Sequence, residues 1–387
     1  MQADIYSYFF ERFFMADPRH TKLAEVLIHY SLAIKAGEKL IIVGSEHAAP
    51  LLREAYRVAI AAGAHVYTDI RLSGLRELLF KNGNDDQLQY VSELDWKRIE
   101  FFDATLHIMG DNNTRQFGGV DPKRMALWRK ARAPLSRRDD ERSAAGESRW
   151  CLTLYPTDAY AQDAGMSLTD YEDFVYDAGL VTTENPVAGW QKLHDDQQGI
   201  ADYLMTHDEI HIVTPGTDIR YNVGGRKWIN CDGKVNFPDG EVFSAPHITS
   251  VNGHVTFTYP AIYDGNEVEN VKLTFENGSV VKSEATRGLD FLNAMLDTDA
   301  GSRYLGEVAF GTNYGIQRFT RELLFDEKIG GTMHMALGAA YAECLPDGAD
   351  PTELNESGLH WDLVCDMREG EVYADGELCY KNGRFQI

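Results

Sequence analysis

Hydrophobic and polar positions along the first 205 residues switch between two periods. "KLAEVLIHYSLAIKAG" (22–37) sets apolar residues at helical spacing and ends on Gly37, a candidate C-cap. "EKLIIVGS" then predicts a buried strand, "APLLREAYRVAIAAGA" a helix with Pro50 near its start, and "HVYTDI" and "ATLHIMG" two further strands. Strands alternating with helices of this length predict βαβ units and an α/β N-terminal domain with a mostly parallel sheet, over residues 1–205. "APLSRRDDERSAAGES" (133–148) is polar and rich in small residues, which predicts an exposed loop or lid. From residue 206 the pattern changes. Glycine turns ("TPGTD", "NVGGRK", "FPDGE", "FENGS") separate short β-prone runs such as "HVTFTYP" and "EVENVKLTFE". Residues 206–387 therefore read as an α+β, sheet-rich C-terminal domain.

Composition narrows the function classes. The chain has 387 residues and a net charge of −23, a surface that repels phosphate backbones and excludes nucleic acid as a partner. It would attract cations, including the free amino end of a peptide. No stretch reaches the roughly 18–20 apolar residues of a membrane span, so no membrane partner is expected. The start, "MQADIYSYFFERFF", lacks a basic region and a small-residue cleavage site, which argues against a signal peptide. Five scattered cysteines, none in C-x-x-C spacing, fit a cytoplasmic location better than a disulfide frame. The turn "IIVGSEHAAP" carries neither a dinucleotide nor a P-loop fingerprint.

Candidate chemistry lies in the second half. "HDEIH" (207–211) imitates the H-E-x-x-H zinc motif, but its acid is Asp208 and its surroundings predict a strand. In a strand, positions i and i+4 lie roughly 13 Å apart, so this pair is a decoy. "LHWDLV" is better: His360 and Asp362, at i and i+2, share one face of a strand. Imidazole with carboxylate suits zinc, cobalt, manganese or iron(II); a satisfied polar pair on a solvent face fits the same two residues. "FDEKIGGTMHMALGAAYAE" (325–343) joins acids, a double glycine, His334 and Tyr341. Read as a helix from Thr332, it puts His334 and Tyr341 two turns apart on one face; a capping histidine and a core tyrosine suit it equally. Glu241 leads an apolar strand after a Pro-Asp-Gly turn, and Glu307 sits inside the strand-like "RYLGEVAFGTN". Lone carboxylates among apolar residues are expensive unless paired or ligating. Glu241, Glu307, His334, His360 and Asp362 thus form a candidate set for two metals, with nothing local to prove that they meet.

"NFPDGEVFSAP", "GEVAF", "LFDEKIGGTMHMALGAAY" and "HWDLV", in this order and spacing, resemble the thermophilic metallopeptidase family, the aminopeptidases of T and S type, leucyl aminopeptidase-like. "YPTDAYAQDAGMSLTDYEDFVY" and "GTDIRYNVGGRKWIN" are similar to it as well, so the resemblance spans most of the chain. It implies a C-terminal catalytic domain, a homodimer, peptide substrates with a free N-terminus, and two divalent metal ions with a bridging water. By the same resemblance Glu241, Glu307, His334, His360 and Asp362 are the ligands, with Glu307 shared. Tyr341 is implied to assist the tetrahedral intermediate, and Glu327 to be an acid that contacts metal or serves as base. The chain departs from the T-type pattern in having a longer spacer between Glu327 and His334. Two rivals stand beside the metal-dependent aminopeptidase. One is an iron(II) ring-opening dioxygenase or other non-peptidase enzyme on the same scaffold, which would use a single-metal facial triad. The other is a non-catalytic binding protein.

Overall fold

A computed structural model describes residues 17–263 and 265–387; the N-terminal stretch read above as no signal peptide lies outside them. The chain divides into two compact units. One comprises the described residues up to Ala188 together with Gly233–Phe237; the other comprises Gly189–Asp232 and Pro238–Ile387.

The first unit is built on the predicted parallel sheet. Strands β1 (Lys39–Ser45), β2 (His65–Arg71), β3 (Ala104–Met109) and β4 (Arg149–Leu154) lie in the order β2-β1-β3-β4, followed by the short strand Asn236–Phe237. All four pairings are parallel. Helix α1 (Pro18–Glu25), capped by the Asp17 carboxylate, runs on as a π-helical stretch, Val26–Ser31. The helix stops there rather than at Gly37, because Ala33 takes a left-handed φ of 46° that breaks the ladder. Gly37 instead makes its positive-φ turn (86°) just before β1. Helix α2 (Ala49–Ala61) starts with Pro50 in its first turn, as predicted.

The loop expected over residues 133–148 is mostly helix. Helix α3 (Pro122–Ala144) runs through it and through Pro134. Two of its arginines are anchors. The Arg142 guanidinium is buried and donates to the Ile99 and Phe102 carbonyls, and Arg138 grips the Glu100 carboxylate at 2.7 Å. Long-range hydrogen bonds of this kind override a composition that locally favours a loop.

The second unit stacks two antiparallel sheets. One has eight strands, from Ser279–Glu284 at one edge to Arg384–Phe385 at the other. The other has five: β5 (Ile229–Cys231), β6 (Glu241–Ser244), β7 (Leu305–Gly311), β8 (Thr332–Gly338) and β9 (His360–Asp366), in the order β9-β8-β7-β6-β5. Val242, Val308, Phe310, Met333, Met335, Leu337, Trp361 and Leu363 share one core with Ile210, Ile212, Val255, Leu273 and Tyr380 of the larger sheet. Every second residue of the five-stranded sheet is therefore committed to that core, and the alternate set faces the other way. The helix expected from Thr332 is strand β8. It pairs with β7 on one side and β9 on the other, so tertiary partners overrule the helix preference of Met, Ala and Leu. Among the described residues no helix is long and apolar enough to cross a membrane.

Candidate metal centre

The face turned away from the core carries the site. Across β7, β8 and β9, Glu307 stands opposite Ala336 and Ala336 opposite Asp362. One step along, His334 faces Ala309, and Gly338 faces His360. Glu241 pairs with Gly311 at the start of β6. Ala336 and Ala309 stand among the longer polar side chains. Glu307 reaches this face only because the register slips between Leu305 and Glu307. Leu305 faces the core, and simple alternation would send Glu307 there too. The bulge at Gly306 adds one residue and turns the carboxylate over. A Cβ at Gly306 would lie 2.1 Å from the Ala339 carbonyl oxygen, so the bulge needs glycine.

All five predicted ligands meet. Glu307 Oε1 lies 3.2 Å from His334 Nε2, and Glu307 Oε2 lies 3.4 Å from His360 Nε2. His334 Nε2 is also 3.2 Å from Glu241 Oε2, and His360 Nε2 is 3.5 Å from Asp362 Oδ1. Two groups that could each hold a metal ion result, Glu241–Glu307–His334 and Glu307–His360–Asp362, with Glu307 common to both. The Ala339 carbonyl accepts from His360 Nδ1 at 2.8 Å, which fixes the ring and leaves Nε2 to face the site.

Tyr341 and Glu327 also come here, though not along a helix. The chain turns at Gly338 (φ 104°), and the Tyr341 ring packs 4.8 Å from that of His360 and 5.7 Å from that of Phe243. Tyr341 is 47% exposed and stands at the edge of the site. Glu327 follows the one-turn helix Leu323–Asp326. Its Oε2 accepts from Lys328 Nζ at 2.6 Å, and the same ammonium lies 3.0 Å from Glu241 Oε1. Lys328, 1% exposed, is the site residue that the sequence reading missed. Its signal was a lysine directly after two acids and before "IGG", a run that otherwise passes for a surface turn. The decoy histidines stay apart from the site: His211 pairs with Asp218 at 2.9 Å, and His207 Nδ1 lies 2.9 Å from the Tyr203 carbonyl oxygen.

The electrostatics follow from four carboxylates facing one lysine. Burial alone would lower the imidazole pKa of His334; the hydrogen bond to Glu307 and the nearby carboxylates overcome it and push it up to about 9. His360 is likewise pushed up to about 11, against burial, by the Asp362 and Glu307 carboxylates beside it. Burial would raise Asp362, but His360 holds it down to about 2. Burial pushes Glu327 up to about 8 against the pull of Lys328, with Asp362 and Glu241 adding to the rise. The buried carboxylates thus call for positive charge among them.

The description "Thermophilic metalloprotease (M29)" belongs to a family model that matches residues 16–385. The chain belongs to the M29 thermophilic metalloprotease family. This M29 chain is 29% identical to aminopeptidase 2 of Geobacillus stearothermophilus, over 94% of its own length and 97% of the relative's. It is 27% identical to aminopeptidase T of Thermus thermophilus, over 92% and 95%. The solved structure of AmpT from Thermus thermophilus superposes with a TM-score of 0.84 at 25% identity, covering 96% of this chain and 99% of that one. 2,5-Dihydroxypyridine dioxygenase from Pseudomonas putida shares the fold, with a TM-score of 0.61 at 13% identity over 95% and 96%.

Membership of a metalloprotease family implies a divalent metal, and the residues present fit one. Glu241 Oε2 and Asp362 Oδ1 are buried and accept no hydrogen bond, a costly state unless a cation is bound. Imidazole and carboxylate are also the donors that zinc, cobalt and manganese take.

Proposed function

We propose that this M29 chain is a metal-dependent aminopeptidase, holding two divalent cations (zinc, cobalt or manganese) between Glu241, Glu307, His334, His360 and Asp362. The observation that carries this reading is the division of Glu307 between two triads, one oxygen toward each histidine. Such a cation pair, when bound, supplies Lewis-acid charge that polarises a peptide carbonyl and lowers the pKa of a bridging water.

The chain's own groups carry the remaining work. Glu327, a buried carboxylate held beside Glu241 by Lys328, takes up a proton and returns it to the leaving amine. Tyr341, at the edge of the site beside His360, donates its phenolic hydrogen to the oxygen that gains charge. Asp362 and Glu307 keep the His360 ring in place from one side while the Ala339 carbonyl holds it from the other. The acidic surface draws the substrate's free ammonium toward the site. The reading includes a cytoplasmic homodimer, which sedimentation at twice the 43.5 kDa chain mass would support.

The test is hydrolysis of unblocked and N-acetylated peptides by chain reconstituted with zinc, cobalt or manganese. Single N-terminal residues should be released, and both acetylation and chelation should stop the release. Glu307→Ala and Asp362→Ala should abolish turnover and leave the circular dichroism spectrum unchanged. Activity surviving in both variants would overturn the site. No cleavage by any metal form, together with ring opening by the iron(II) form, would move the chain to the dioxygenase class. Failure to retain metal at all would make it a binding protein.

A further inference from the structure

A third group of potential ligands adjoins the centre: Cys231, Asp239 and Glu241, whose donor atoms lie within 4.8 Å of one another. Asp239 and Glu241 are almost wholly buried. By donor chemistry alone this group would take a soft or borderline cation such as zinc or cobalt. Lys328 already stands there. Its ammonium is 3.0 Å from Glu241 Oε1 and 2.6 Å from Glu327 Oε2, and it interacts electrostatically with Asp239 and Cys231. The side chain is 2% exposed, so this charge is not shared with water. The loop around it is pinned by the Asn313 amide, which donates to the Lys328 carbonyl at 3.1 Å, and by the Lys328 amide, which donates to Phe325.

We propose that Lys328 is a positioning residue that fills the cation position of this third group and so limits the centre to two metal ions per chain. The proposal rests on the metal reading above. With Glu241 Oε1 held by the ammonium, Oε2 is the oxygen left to face His334, so Glu241 offers the centre a single donor. The same ammonium fixes the Glu327 carboxylate beside the site. Removing the amine exposes a sulfur and two carboxylates that can together hold another divalent ion, the thiol proton leaving to solvent as the sulfur binds.

The experiment loads full-length chain with cobalt(II), removes excess by gel filtration, and reads two quantities. These are the cobalt bound per chain and the near-ultraviolet sulfur-to-cobalt charge-transfer absorption. Wild type should hold two equivalents and show no such band. Lys328→Gln, which keeps much of the volume, and Lys328→Ala should each hold three and show the band, and adding Cys231→Ser should remove it. Two equivalents and no band in both folded variants would overturn the proposal. Variants that stay unfolded in cobalt would overturn it as well, since a metal able to replace the ammonium restores the missing charge. A wild type with two equivalents beside unchanged variants defeats this inference alone, whereas a wild type with none defeats the metal reading and this inference with it.

Discussion

Asp326→Asn should stabilise the protein, and by an amount that depends on pH. Asp326 is 1% exposed, and Thr320 donates to its Oδ1 from the backbone amide at 2.6 Å and from the hydroxyl at 2.9 Å. Among the described residues no basic side chain forms an ion pair with it. Burial pushes its carboxyl up to about 7 from an ordinary 3.8, with Glu322 adding to the rise and the Thr320 bonds opposing it. A raised pKa in the folded state means stability that is complete below pH 3.8 and lost as the pH climbs through 7. The shift of about 3 units corresponds to about 4 kcal/mol once the group is fully ionised. Asparagine keeps the carbonyl oxygen that Thr320 needs and cannot ionise. Between pH 5 and 8.5 its advantage over wild type should widen by about 2–3 kcal/mol. Urea unfolding of both proteins in chelator-containing buffer, at four pH values across that range, measures the difference directly. An advantage that stays flat, or that shrinks as the pH rises, would refute the reasoning.

Tyr341→Phe removes the proposed donor to the oxyanion and should lower kcat by about 100-fold while KM stays nearly constant; a variant altered only in KM would exclude that role. Gly306→Ala places a Cβ 2.1 Å from the Ala339 carbonyl oxygen and 2.4 Å from that of Gly338. It should cost about 1–3 kcal/mol in thermal or urea unfolding and weaken cobalt binding as Glu307 is displaced. Wild-type stability and metal affinity in that variant would show that the bulge does not set the carboxylate's direction.

Much of this protein was legible in its sequence because the evidence was local. The alternation in "HWDLV" put His360 and Asp362 on one strand face, and they stand together there. The alternation of β1, β2 and β3 with helices announced a parallel sheet, and β1, buried along its interior, reads as one continuous apolar run. Glu241 and Glu307 stood out because a lone carboxylate in an apolar run is expensive wherever it lies.

The tertiary structure decided what depends on neighbours distant in sequence. Strand β8 is a strand because β7 and β9 offer hydrogen bonds on both sides, which no window around "TMHMALG" records. Residues 133–144 are helix because Arg138 and Arg142 find partners some 40 residues earlier. Glu307 faces the site because one bulged glycine inverts the alternation beside it. Lys328 joins the centre through a carboxylate 87 residues away. The sequence determined which side chains would need a partner. The fold determined which partner each received, because pairing across strands is a long-range choice made by the whole sheet at once.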